Sequence, residues 1–337
     1  MKRYLTPFVI PVVLLVFASG VGASVSVARS AHNGPITMFS RRLPVASVDE
    51  INHRRARTIW RCPGPGNEFC GEEVSFDWAL DGLRIALTLD EIGGTSGYAP
   101  GVHVVDVLSG RDVQIPGGAP RTTRGSSWPA YREKVLRRLG CWPPTDLDWS
   151  PDATKLAYRC EPGFGAPYAS KLPHINVLTL AGSGFTTVPT RTPAFWPSWS
   201  PDGTRIAYST ALRAGADSSI YTVAVDGSHR RLVAHDGAAP AWSPDGRTIA
   251  YEARCGVRLV TPAGSDVTPP GNASRCTVLG GTGPPSWSPD GSLLEIEERR
   301  GIFEMTADGS ELQLMLHRRS TSHYGRQPGR PSRRPLP

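Results

Sequence analysis

The stretch Trp199-Ser200-Pro201-Asp202-Gly203-Thr204-Arg205-Ile206-Ala207-Tyr208 decides how this chain folds. Its first half reads as a tight turn: the Ser side chain bonds a following amide, Pro presets φ, and Gly accepts positive φ. Its second half partly alternates polar and apolar residues, as a strand does. The same run returns at Trp242 to Gly246, followed by Thr248-Ile249-Ala250-Tyr251, and at Trp287 to Gly291. A fourth copy, Trp149-Ser150-Pro151-Asp152-Ala153, loses only its Gly, and Trp78-Ala79-Leu80-Asp81-Gly82 is a degenerate fifth.

The Trp residues are spaced by 71, 50, 43 and 45 positions, so a surplus of about 26 residues between the first two marks an insertion in a regular repeat. Each copy continues with a third strand, such as Ile220 to Ala224 or Ile302 to Met305. A second turn, Asp226-Gly227 or Asp308-Gly309, leads to a fourth, such as Arg231-Leu232-Val233. Four antiparallel strands per ~45 residues make one propeller blade. Composition agrees: 36 Gly and 32 Pro in 337 residues are more breakers than helical bundles tolerate.

The Trp-Ser-Pro-Asp-Gly…Ile-Ala-Tyr…Asp-Gly pattern resembles the PD40, or TolB-like, β-propeller repeat, over roughly residues 74–316. The Trp-Asp ending of WD40 blades is absent. The resemblance implies an all-β, six-bladed propeller of four-stranded blades, spanning about 34–316, with one helical insertion at 117–144. Gly34 to Phe39, Val45 to Val48 and Thr58 to Trp60 supply the second to fourth strands of a first blade whose innermost strand is not evident. TolB proper carries an α/β domain ahead of its propeller and a segment that engages a Tol partner. Only about ten residues separate the expected cleavage site from the first strand here. The resemblance therefore implies the propeller type and not a Tol–Pal role.

Residues 1–23 read as a secretory signal: Lys2 and Arg3, then the apolar run Pro7 to Phe17, then Val21-Gly22-Ala23 as a cleavage motif. The expected location is extracytoplasmic, periplasmic or secreted. The net charge of +7 is concentrated at the ends. Setting aside Lys2, Arg3 and the six Arg of residues 317–337 leaves 29 basic against 30 acidic residues, which excludes a strongly basic nucleic-acid-binding body. The tail, rich in Pro and Arg, is expected to be disordered and weakly attracted to anionic surfaces, and its loss to leave the melting temperature unchanged. The competing reading is that it returns to supply the missing inner strand.

Six cysteines in a secreted chain favour disulfides. On a propeller all six fall on the rim where each innermost strand begins, and nearest-neighbour pairing gives Cys62–Cys70, Cys141–Cys160 and Cys255–Cys276. In the insertion, Ser127 caps an expected helix with Tyr131, Val135, Leu136 and Leu139 on one face and Arg132, Arg137 and Arg138 outward. Gly140 suits its C′ position.

The residues before the five Trp are Asp77, Asp148, Ser198, Ala241 and Ser286. Asp77 and Asp148 read either as acceptors for backbone amides at a strand end or as a carboxylate pair holding a metal. No G-x-S-x-G elbow, Walker loop or other catalytic motif occurs. The sequence thus points to a non-catalytic, monomeric binding propeller without a cofactor, engaging a protein or saccharide. The alternative is a lyase- or lactonase-type propeller enzyme with a metal in its channel. Asn272-Ala273-Ser274 matches a glycosylation sequon.

Overall fold

The computed structural model describes residues 33–42, 45–52, 55–61, 74–89, 101–116, 128–141, 144–161, 172–182, 184–254, 256–270, 284–298, 301–317 and 332–335. The expected signal, Ser127, Cys62, Cys70, Cys255, Cys276 and the sequon lie outside them. None of the described helices is long and apolar enough to cross a membrane.

The strands follow the repeat. The first sheet holds β1 (Asn33–Arg42), β2 (Val45–Asn52) and β3 (Arg55–Arg61). Next come β4 (Val74–Trp78), β5 (Arg84–Leu89), β6 (Gly101–Asp106) and β7 (Asp112–Ile115). Helix α1 (Trp128–Leu139) precedes β8 (Pro144–Trp149), β9 (Lys155–Cys160), β10 (His174–Thr179) and β11 (Phe185–Thr187). The fourth sheet is β12 (Phe195–Trp199), β13 (Arg205–Ser209), β14 (Ser219–Ala224) and β15 (Arg231–His235). The fifth is β16 (Gly237–Trp242), β17 (Ile249–Ala253) and β18 (Val257–Val260). The last is β19 (Ser286–Trp287), β20 (Leu293–Glu298), β21 (Gly301–Thr306) and β22 (Leu312–His317).

Six four-stranded blades are expected; five are found among the described residues. The sheet β16-β17-β18 has three strands among the described residues. Its fourth-strand segment makes one bridge, Val260 to Asp266, and Thr268 Oγ1 then accepts the Leu259 amide at 2.9 Å in place of a ladder carbonyl. Pro269 and Pro270 follow, and without backbone donors they cannot extend the ladder.

The tail also differs from expectation. Residues Ser332–Pro335 form a strand, β23, on the inner edge of the first sheet, in the order β23-β1-β2-β3. Ser332 faces Thr37, Arg333 faces Ile36 and Pro335 faces Asn33. An innermost strand pairs on one side only, so it tolerates Pro better than a central strand. The innermost strands β4, β8, β12, β16 and β19 neighbour one another in turn, and β23 lies beside both β19 and β4. The C-terminal strand thus closes the ring.

The turns perform the chemistry their residues suggest. Ser150, Ser200 and Ser243 each donate to the Asp two residues on, at 2.6, 2.5 and 2.6 Å, and accept the amide of Lys155, Arg205 or Thr248. These hydroxyls hold the Asp152 and Asp202 carboxyls below the usual range. Ala153, where Gly is lost, keeps the turn's left-handed backbone at φ 54°. In these turns the Ser and Asp side chains serve as joints between strands.

Helix α1 buries Tyr131, Val135, Leu136 and Leu139, as their spacing predicts. Arg137 is outward and pairs with Glu133, but Arg138 is not outward. Its guanidinium donates to the carbonyls of Gly184 at 2.7 Å and Thr179 at 3.0 Å, fastening the helix to the β10–β11 turn. The long Arg stem lets a flank position reach backbone acceptors.

Candidate functional site at the strand-start rim

The chain's special features gather on the rim where the innermost strands begin. Gly140 ends α1 at φ +77°, and a Cβ there would lie 2.5 Å from Phe185 and 2.6 Å from Asn176 Nδ2. The Leu139 carbonyl accepts from the buried Tyr158 hydroxyl at 2.7 Å and from Asn176 Nδ2 at 3.1 Å. Burial raises the Tyr158 hydroxyl well above its ordinary pKa, so it stays a donor. Beside it, Cys141 and Cys160 form a disulfide across the start of β8 and the end of β9.

Three innermost strands carry a bulge at their starts, between Thr145 and Asp148, Phe195 and Ser198, and Ala238 and Ala241. Each holds a non-glycine residue with positive φ three places before its Trp: Asp146 (52°), Trp196 (54°) and Ala239 (48°). Such strain persists only where neighbours over-determine it, and bulges re-aim side chains. Here the neighbours are Phe195, Trp196, Ala238 and Ala239, packed as one apolar cluster with Ala214 against it. Trp196 Nε1 donates to the Leu212 carbonyl at 3.1 Å.

Charge borders this buried cluster. Arg159 and Asp146 are buried together, with Nε 2.7 Å from Oδ2; the N–H is not aimed along that line, so the contact is ionic rather than a hydrogen bond. Glu161 pairs with the same guanidinium, and Arg159 also lies over the Phe195 ring, 5.4 Å from its centroid. Glu252, opposite Ala238 on β17, is half-buried, and burial raises its carboxyl pKa while the exposed Arg213 partly counters this. The rim therefore carries a buried apolar cluster with charges of both signs beside it, and no nucleophile–base pair among the described residues.

Asp77 and Asp148 lie elsewhere and have another job. Asp77 Oδ2 accepts the Trp149 amide at 2.9 Å, Asp148 Oδ2 accepts the Trp199 amide at 2.5 Å, and Ser198 Oγ accepts the Trp242 amide at 3.1 Å. Asp77, Asp148 and Ser198 thus each cover the free edge of the next innermost strand, where amides lack a ladder partner. Among the described residues no group of three or more His, Cys, Asp or Glu is placed to hold a metal. Ala241 has no side-chain acceptor to offer the Trp287 amide; the Trp287 indole donates to the Ala241 carbonyl at 3.1 Å, as the Trp149 indole does to that of Asp77. Ala241→Ser should raise stability by about 0.5–1.5 kcal/mol by completing the series. Urea unfolding checks this, and an unmoved midpoint would count against the edge-covering role.

Asp146, Trp196 and Ala239 were not legible as a set, because three unrelated residues share one backbone conformation. One signal was present. The third residue after the first core position of strand two is Thr88, Arg159, Ser209 or Glu252, a polar residue that directly follows Leu87, Tyr158, Tyr208 or Tyr251.

Comparison with solved structures follows from this geometry. A TolB from Acinetobacter baumannii superposes with a TM-score of 0.58 at 16% identity, over 90% of this chain and 67% of that one. The fold is that of TolB-type β-propellers. A second TolB, from Agrobacterium tumefaciens, gives 0.54 at 18% identity, over 85% of this chain and 90% of that one. A chain of a nidogen/laminin complex gives 0.53 at 13% identity, covering 85% and 94%. No family model matches the sequence, and no curated protein matches it. The TolB-type propeller is thus carried by architecture, at identities that fix the fold alone.

Proposed function

We propose that this protein is a non-catalytic, extracytoplasmic binding propeller that engages a protein partner through its strand-start rim. The observation that carries this reading is the convergence on one rim of three strained bulges over a buried apolar cluster, the buried Asp146–Arg159 pair, the exposed Arg213 and the half-buried Glu252. Strained backbone held by its surroundings is a feature of binding sites, and rim loops on a rigid scaffold are where such sites form. The Cys141–Cys160 disulfide supports an oxidising compartment. A structural neighbour taken from a nidogen/laminin complex supports a protein partner over a saccharide. Its near-neutral body argues against a nucleic-acid partner, and the propeller is proposed to act as a monomer.

Capture from a native envelope extract tests this. Wild type should retain a partner that Arg213→Glu loses, whereas Arg247→Glu on the opposite, turn-bearing rim should retain it. Equal capture by both variants would remove the rim from consideration. A stoichiometric divalent metal in the purified protein would favour the enzyme reading instead.

A further inference from the structure

The connector 210–218 between β13 and β14 stands on the strand-start rim, where β17 and β18 are joined by the shorter 254–256. Long connectors are ordinarily mobile, yet this one is bonded along its length. At its neck the Thr210 amide donates to the Ser219 carbonyl and the Ser219 amide to Thr210 Oγ1, both at 3.0 Å. On the returning limb the Gly215 amide donates to Ser218 Oγ at 2.8 Å, and the Ser218 amide to the Gly215 carbonyl at 3.0 Å. From the strand side, Ser209 Oγ donates to the Ala211 carbonyl at 2.8 Å and Trp196 Nε1 to the Leu212 carbonyl at 3.1 Å, while Ala214 packs on the buried cluster.

Trp196 makes its bond from a left-handed backbone at φ 54°, which is unfavourable for a bulky residue. The corresponding bulge residues are Asp146 and Ala239, neither with an indole, and the sheet of Ala239 carries the short connector. What these bonds fix in place is bare. Leu212 is 36% exposed and stands outside the cluster; Arg213 is exposed and makes no hydrogen bond or ion pair among the described residues. Its charge reaches Glu252 of the next blade without an ion-pair contact. Asp217, exposed on the returning limb, leaves the connector with no net charge, so selectivity lies in placing one cation next to one apolar side chain. Order present before binding spares the entropy that a mobile loop would lose.

We propose that the connector 210–218 is a pre-formed binding loop that presents Leu212 and Arg213 to an apolar hollow bordered by a carboxylate on a protein partner, which rests on this rim being the partner-binding face. Trp196 is its positioning residue. An aliphatic side chain beside a guanidinium is complementary to such a hollow, and Arg is enriched where binding energy concentrates.

Full-length protein with photo-reactive leucine in place of Leu212, irradiated in native envelope extract, should form a covalent adduct. The mapped partner peptide should hold an Asp or Glu among apolar residues, and the same label in place of Arg254 should give no adduct. Adding Arg213→Glu should abolish the adduct, and reversing the mapped acid to Lys should restore it. Hydrogen exchange gives a readout without the partner: Trp196→Phe, which deletes the indole N–H, should speed exchange at Gly215 and Ser218 about tenfold with a melting shift of roughly 4 °C or less. Should that variant fail to fold, Leu212→Ser at the exposed tip must fold and weaken partner retention about tenfold or more. An adduct at 254 but not at 212, or an adduct peptide without an acid, would overturn the loop and leave the rim standing. No adduct at either position would remove both, and unchanged exchange in Trp196→Phe would end its positioning role.

Discussion

Removing residues 331–337 will lower the melting temperature by about 6–12 °C. The strand β23 is paired with β1 at Ser332, Arg333 and Pro335, and its loss uncovers the inner edge of the first sheet. Roughly three ladder hydrogen bonds at ~1 kcal/mol each amount to about 3 kcal/mol, and a domain of this size shifts by ~2–4 °C per kcal/mol. The ring would also lose the element that lies between β19 and β4. Tail composition predicts the opposite result, because Pro and Arg make a poor free-standing strand. Differential scanning calorimetry of full-length and truncated protein decides it: identical melting would mean that the tail is not part of the fold.

Replacing Trp149 by Ala will destabilise the protein by about 3–5 kcal/mol. The indole is 4% exposed, packs in a cluster with Ala79, Ala86, Tyr131, Val135 and Leu156, and its Nε1 donates to the Asp77 carbonyl at 3.1 Å. The Arg84 guanidinium lies over the ring, 5.2 Å from its centroid. One side chain therefore ties two blades by packing, by a hydrogen bond and by a cation–π contact. Trp287→Ala should cost less, since Trp287 is only half-buried on a two-residue strand. Urea midpoints compare the two; equal losses would show that burial is not what separates the junctions.

Much of the architecture was legible because the repeat is local chemistry. The Ser-Pro-Asp-Gly turn closes through bonds spanning five residues or fewer, and the helix face Tyr131, Val135, Leu136 and Leu139 follows from helical spacing. The role of Arg138 was not legible, since its acceptors Thr179 and Gly184 lie more than forty residues away. Nor was the fifth sheet, three-stranded among the described residues, where Pro269 and Pro270 after Thr268 offer no backbone donors to the ladder.

The sequence by itself determined the blade: its turns, its strand order, its Trp and the alternation that buries one face against a neighbour. Each of these depends on residues close together in the chain, so composition and spacing record them. Tertiary structure alone decided what joins one blade to the next. Asp77 and Asp148 became covers for the amides of Trp149 and Trp199 only once β4, β8 and β12 stood side by side. The same holds for the tail. A four-residue segment with two Arg and a Pro becomes a strand because β1 offers it a free edge, about three hundred residues away. Pairing across such a separation is driven by the uncovered edge and the closing ring, which local propensity does not encode.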